Sequence, residues 1–76
     1  MFSYDMAKRG GETLYEYLYR CIRHDIAHGV VPAGQKLPSK RALAGHLGVS
    51  LVTVEAAYRQ LVAEGYVASR ERSGYF

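Results

Sequence analysis

The chain has 76 residues, 49% of them hydrophobic and 22% charged, with a formal net charge of +3. A domain of this size buries only about 60% of its unfolded surface, so a second domain is excluded and three or four elements must share one thin core. No apolar run approaches the ~18 residues that cross a bilayer, and the opening MFSYDMAKRGGE lacks the apolar stretch of an export signal; the sequence therefore predicts a cytoplasmic protein with no membrane partner.

Residues 1–11 read as an N-terminal arm, and residues 12–76 as the domain. Thr13 followed by Glu16 is a capping box, so a first helix is expected from Leu14. Leu14, Tyr17, Leu18, Cys21, Ile22 and Ile26 recur at helical spacing and form one apolar stripe, with the single cysteine acting as a small hydrophobe. Gly29 ends this helix, and Val30 to Leu37, with Pro32, Gly34 and Pro38 in and beside it, reads as a connector with a short extended piece. Ser39 is an N-cap for a second helix from Lys40 to about Leu47, with Leu43 and Leu47 inward and Lys40 and Arg41 outward. Gly48 supplies a tight turn, Val49 a buried plug and Ser50 the next N-cap. The third helix is expected over 51–64, stopping at Gly65, with Val54, Ala57, Tyr58 and Leu61 as its inward stripe. Tyr66 to Ser69 reads as a strand, Arg70 to Gly74 as a turn, and Tyr75 and Phe76 as the start of a returning strand. Phe76 falls inside that strand, so the sequence is expected to continue in a longer protein. Tyr17, Tyr58 and Tyr66 are expected as core aromatics whose hydroxyls reach the surface.

Charge is uneven along the chain. Lys36, Lys40, Arg41, Arg59, Arg70 and Arg72 against Glu55, Glu64 and Glu71 place the whole excess of +3 after residue 35, as in a nucleic-acid-binding face or an ordinary solvated surface. Two helices joined by a short Gly-containing turn, with the small Ala44 four positions before Gly48, describe a helix-turn-helix. That motif accounts for the otherwise odd start of the third helix, where Leu51, Val52 and Thr53 put oily groups at an exposed tip. In a major groove they would meet base edges and thymine methyls, and a hairpin carrying Arg70, Arg72 and Ser73 would lie alongside as a wing.

At these residues the chain resembles a known family. The run LPSKRALAGHLGVSLVTVEAAYRQLVAEGYVASRERSGYF resembles the winged helix-turn-helix of GntR-family bacterial transcriptional regulators, and LYEYLYRCIRHDIAHGVVPAGQKLPS resembles the family's first helix and linker. The wording AYRQLVAEGY and SGYF is most similar to the MocR branch, with the YtrA branch second. The resemblance implies a mainly α fold of three helices plus a small β-hairpin, binding a double-stranded DNA operator as a homodimer of the full-length protein. It implies no cofactor in this chain, but a pyridoxal-phosphate-binding, aminotransferase-like domain in a longer parent. Carried over by position, the family's DNA-reaching arginine falls on Arg41 and one threonine-type position on Thr53. Leu51, Val52 and Glu55 depart from the pattern, and the wing glycine falls on Arg72 or Gly74. The DNA-binding set is thus Ser39, Lys40, Arg41, Ser50, Leu51, Val52, Thr53, Glu55, Arg70, Arg72, Ser73 and Gly74. Glu55 would either accept from a cytosine N4 amine or repel phosphates.

Arg59 is expected to pair with Glu55, four residues earlier. In HDIAH, His24 and His28 have the spacing of a zinc protease helix, but the general base would be Asp25 and a third ligand is missing; histidines near a helix end also suit its dipole, so no metal is expected. No nucleophile triad, phosphate loop or carboxylate pair can be assembled, and the chain is not read as an enzyme. The rival function is a winged-helix protein-interaction module without DNA binding, which Leu51, Val52 and Glu55 would suit.

Overall fold

The computed structural model describes residues 2–70 and 73–76. Its helices are α1 (Leu14–Ala27), α2 (Lys40–Leu47) and α3 (Leu51–Ala63), followed by a hairpin of β1 (Ser69–Arg70) and β2 (Gly74–Tyr75). A single 3₁₀ turn, Met6–Arg9, precedes α1 and packs on it.

Each helix starts where a local side-chain acceptor satisfies free amides. The Thr13 hydroxyl accepts from the Glu16 N–H, and donates to the Glu16 carboxylate at 2.9 Å. The box therefore closes side chain to side chain, not through the Thr13 amide. Ser39 Oγ accepts from the Ala42 N–H and Ser50 Oγ from the Thr53 N–H. Gly48 turns α2 into α3 with φ 69°, a left-handed backbone that few residues other than glycine adopt cheaply.

The core lies on α3, against which both α1 and α2 pack. Val54, Ala57, Tyr58 and Leu61 are all 0% exposed, as the spacing of that stripe predicts. Leu18, Ile22, Leu43 and Ala44 face them from the other helices. Residues outside any periodic stripe complete the interior: Phe2 folds back into it, Val31 and Leu37 enter from the connector, and Val67 from beyond α3. Tyr19 is also buried, with its hydroxyl donating to Glu64, while Tyr15 donates to Gln60 on the same flank of α3. On the arm, the Tyr4 hydroxyl donates to Asp25 Oδ2 at 2.7 Å and Ser3 Oγ lies 3.2 Å from His46 Nε2, tying residues 2–9 to both α1 and α2.

Three expectations change. Tyr66 is exposed, not core, because the Tyr66 and Val67 amides both donate to the Leu61 carbonyl. That closing bond holds Tyr66 at the helix end and gives the interior position to Val67. For the same reason strand pairing starts only at Ala68, which exchanges both backbone hydrogen bonds with Phe76 at 2.9 Å, ahead of the antiparallel pairs Ser69↔Tyr75 and Arg70↔Gly74. Pairing thus extends to Phe76, one residue beyond β2. Tyr58 directs its hydroxyl not to the surface but to the Pro38 carbonyl, at 2.8 Å. The Leu37 N–H donates to the Tyr75 carbonyl at 2.8 Å, so the connector lies as an extended piece along β2.

Candidate nucleic-acid interface

Three elements meet around Lys40: the start of α2, the first turns of α3 and the hairpin. Ser39 and Ser50, as N-caps, have their hydroxyls facing their own helix starts. Ser50 Oγ also lies 3.0 Å from Thr53 Oγ1, so the Thr53 hydroxyl has a partner within the turn. Val52, at the tip of α3, is 72% exposed, the most exposed large hydrophobic side chain among the described residues. Leu51 and Thr53 flank it half-buried. A hollow lined by Ser39, Lys40, Arg41, Leu51 and Glu55 joins the starts of the two helices and brings the exposed Arg41 to the same face as the tip.

Glu55 does not pair with Arg59. Its Oε2 lies 3.3 Å from Lys40 Nζ, across from α3 to the first residue of α2. The Lys40 ammonium also stands 5.7 Å from the centre of the Tyr75 ring, so one side chain touches α3 and β2 from its seat on α2. Glu55, acting as acceptor, holds the Lys40 ammonium above the ordinary lysine value.

On the hairpin, the exposed Arg70 guanidinium lies over the Phe76 ring at 4.8 Å, and the Ser73 N–H donates to the Arg70 carbonyl. Arg72, expected at the wing tip, lies outside the described residues. Gly74 has φ 109°, and a Cβ placed there would come within 3.2 Å of Lys36 Cε. Lys36 was missed by the sequence reading. Its only signal was charge, and a bond between the connector and β2 brings it to the wing.

His24, in the last turn of α1, and His28, its C-cap, have a local explanation. The His24 and His28 rings stack with centroids 4.0 Å apart, and His28 Nδ1 lies 2.8 Å from the His24 carbonyl. Among the described residues, no group of three or more His, Cys, Asp and Glu is placed to hold a metal ion, and no helix is long and apolar enough to cross a membrane.

Three helices with a tight αL turn between the last two, an exposed α3 tip and an adjoining hairpin define a winged helix-turn-helix, the architecture of a DNA-binding regulator domain. Residues 14–76 match the family described as bacterial regulatory proteins, gntR family, and the chain belongs to that family as its DNA-binding domain. It is 52% identical over 63 residues to the uncharacterized HTH-type transcriptional regulator YdeL of Bacillus subtilis, a match covering 83% of this chain and 14% of that protein. It is 42% identical to the HTH-type transcriptional regulator TauR of Rhodobacter capsulatus, over 97% of this chain and 15% of that one. With the probable rhizopine catabolism regulatory protein MocR of Rhizobium meliloti it shares 43% identity, over 80% of this chain and 12% of that protein. Among solved structures it is similar to YtrA from Sulfolobus acidocaldarius, a GntR-family transcription factor, with a TM-score of 0.85, 35% identity, and coverage of 99% of this chain and 78% of that one. The chain thus spans only 14% to 15% of the length of the first curated relatives it matches.

Proposed function

We propose that this domain reads a double-stranded operator with the start of α3 in the major groove and the hairpin alongside as a wing. The observation that carries the reading is the tip itself: Val52 is 72% exposed, next in sequence to Leu51, which shares a hollow with Arg41, although the inward stripe Val54, Ala57, Tyr58 and Leu61 of the same helix is fully buried. An apolar group left in water costs nothing against thymine methyls and gains by covering them. Leu51, Val52 and Thr53 then meet base edges, with Thr53 exchanging its Ser50 contact for a base or phosphate. Ser39, Arg41 and Ser50 face phosphates at the helix starts, and Arg70, Ser73 and Gly74 do so on the wing.

One copy spans too few base pairs for useful discrimination, so the parent protein acts as a cytoplasmic homodimer on two half-sites about one helical turn, or a multiple, apart. The MocR resemblance supports a parent carrying a pyridoxal-phosphate-binding domain after this one; reading the residues beyond Phe76 tests that directly.

The test of DNA binding is fluorescence anisotropy with labelled duplex at several salt concentrations. The unaltered chain should bind random duplex at low salt and weaken steeply as salt rises. Arg41→Ala should weaken binding on all sequences and reduce the slope of log K against log salt by about 0.9. No binding at high micromolar protein would overturn the reading in favour of a protein-interaction module.

A further inference from the structure

From sequence, Lys40 and Glu55 are both expected on the DNA face but not as partners, since the spacing offers Glu55 to Arg59. In the structure they are one object. The ion pair, at 3.3 Å, crosses from α2 to α3 with both side chains about one-third exposed, and Lys40 is steadied from the other side by the Tyr75 ring. Two hollows meet at this pair: one runs to Arg41 and Leu51 at the helix starts, and the other to Arg59, Ser69 and Tyr75 beneath the wing. The pair therefore sits within the face that the DNA reading assigns to the duplex. A carboxylate there would repel phosphates if left alone, and a lysine at the first position of α2 would attract them.

We infer that Lys40 and Glu55 form a closed, charge-neutral clasp on the DNA face, with Glu55 withholding Lys40 from the phosphates and Lys40 masking Glu55 from them. The inference rests on the DNA-binding reading above. Glu55 acts as a positioning residue in this scheme. It fixes Lys40 against Tyr75 and so sets the wing relative to the two helices, and it limits the non-specific, charge-driven part of affinity without touching a base. The phosphate contacts that remain fall to Arg41, to Ser39 and Ser50 at the helix starts, and to the wing. The apolar tip of α3 then carries a larger share of the discrimination, because phosphate contacts do not report sequence.

The experiment compares the unaltered chain with Glu55→Gln, Lys40→Met and the double variant in anisotropy titrations on random duplex between about 50 and 200 mM salt. Thermal melts confirm that each is folded; the side chains are partly exposed and the replacements near-isosteric. Glu55→Gln frees Lys40, so binding should tighten about three- to tenfold and the salt slope should steepen by about 0.9, one counterion more. Lys40→Met exposes Glu55 and should weaken binding. In the double variant both charges are gone, and the slope should return to that of the unaltered chain. A purely structural role would change affinity without this pattern of slopes. If Glu55→Gln leaves the slope unchanged while both Lys40 variants lose about 0.9, then Lys40 already contacts phosphate and the clasp is overturned, with the DNA reading intact. Failure of the unaltered chain to bind duplex at all overturns both.

Discussion

Val52 and Val54 stand two positions apart in the first turn of α3, yet Val52 is 72% exposed and Val54 0% exposed. The same substitution at each separates what the tip does from what the helix needs. Val54→Ala removes two methyl-sized groups from the core. At about 0.8 kcal/mol for each buried carbon and a further ~1 kcal/mol for the void, the loss is about 2–3 kcal/mol. In a domain this small that lowers Tm by about 10–20 °C, a large part of its total stability. Val52→Ala removes the same atoms from water, where a surface change stays within about 0.5 kcal/mol and the better helix propensity of alanine offsets part of it. Its cost appears only on DNA. Losing about 1–1.5 kcal/mol of apolar contact with base methyls corresponds to roughly six- to twelvefold weaker binding to the preferred operator, and to little change on random duplex. Melts followed by far-ultraviolet circular dichroism read the first quantity and anisotropy the second. A Tm loss of more than about 5 °C for Val52→Ala would mean that the tip is part of the interior. Unaltered operator affinity in the same variant would remove the tip from the DNA contact.

Other expected outcomes follow from single contacts. Tyr58→Phe leaves the Pro38 carbonyl without its 2.8 Å donor, and should cost about 1–2 kcal/mol with the ring packing against Tyr75 preserved, measured as a Tm loss of about 5–10 °C. Gly74→Ala should destabilise more than Gly48→Ala. Gly48 (φ 69°) has open space where a Cβ would go, so its cost is about 1–2 kcal/mol of left-handed backbone, whereas φ 109° at Gly74 lies beyond that basin and close to Lys36; comparative melts give the order. Burial foremost pushes the Tyr58 and Tyr4 hydroxyls up from the ordinary tyrosine value, with Asp25 adding to the effect at Tyr4. Because the folded state holds these protons more tightly, their contribution is complete below pH ~10 and is lost as pH rises beyond it. Urea midpoints should therefore fall above pH ~10, and less steeply in Tyr58→Phe; an equal slope would reject the assignment.

Most of the fold is legible in the sequence because its determinants are local. A hydroxyl at Thr13, Ser39 or Ser50 needs only the amide three residues on, and the α3 stripe is a matter of spacing within one helix. The parts that were not legible depend on contacts between distant segments. Phe2 carries no periodic signal, and its burial depends on the arm folding back. Tyr19 lies off the main stripe of α1, but it is buried in the fold and Glu64, at the end of α3, accepts from its hydroxyl. The exchange of Tyr66 for Val67 depends on how α3 closes on the Leu61 carbonyl, which moves the alternation of the next segment by one residue.

The interface follows the same division, with a different consequence. Val52 is conspicuous because an apolar residue occupies a position out of phase with the core, between Leu51 and Thr53, and such a mismatch is visible in one dimension. The partner of Glu55 is not. Spacing within a helix offers Arg59, four residues on, yet an exposed pair of that kind is worth only about 0.3–0.5 kcal/mol, and the fold brings a competitor fifteen residues away in sequence. Lys40 prevails because its chain is already positioned: seated behind the Ser39 cap and laid against Tyr75, it gives up little side-chain freedom on meeting the carboxylate. Glu55, which as a lone charge would count against phosphate binding, becomes compatible with it only through that neighbour. Substitutions at either position are therefore expected to be non-additive, with the double variant closer to the unaltered chain in salt slope than either single one.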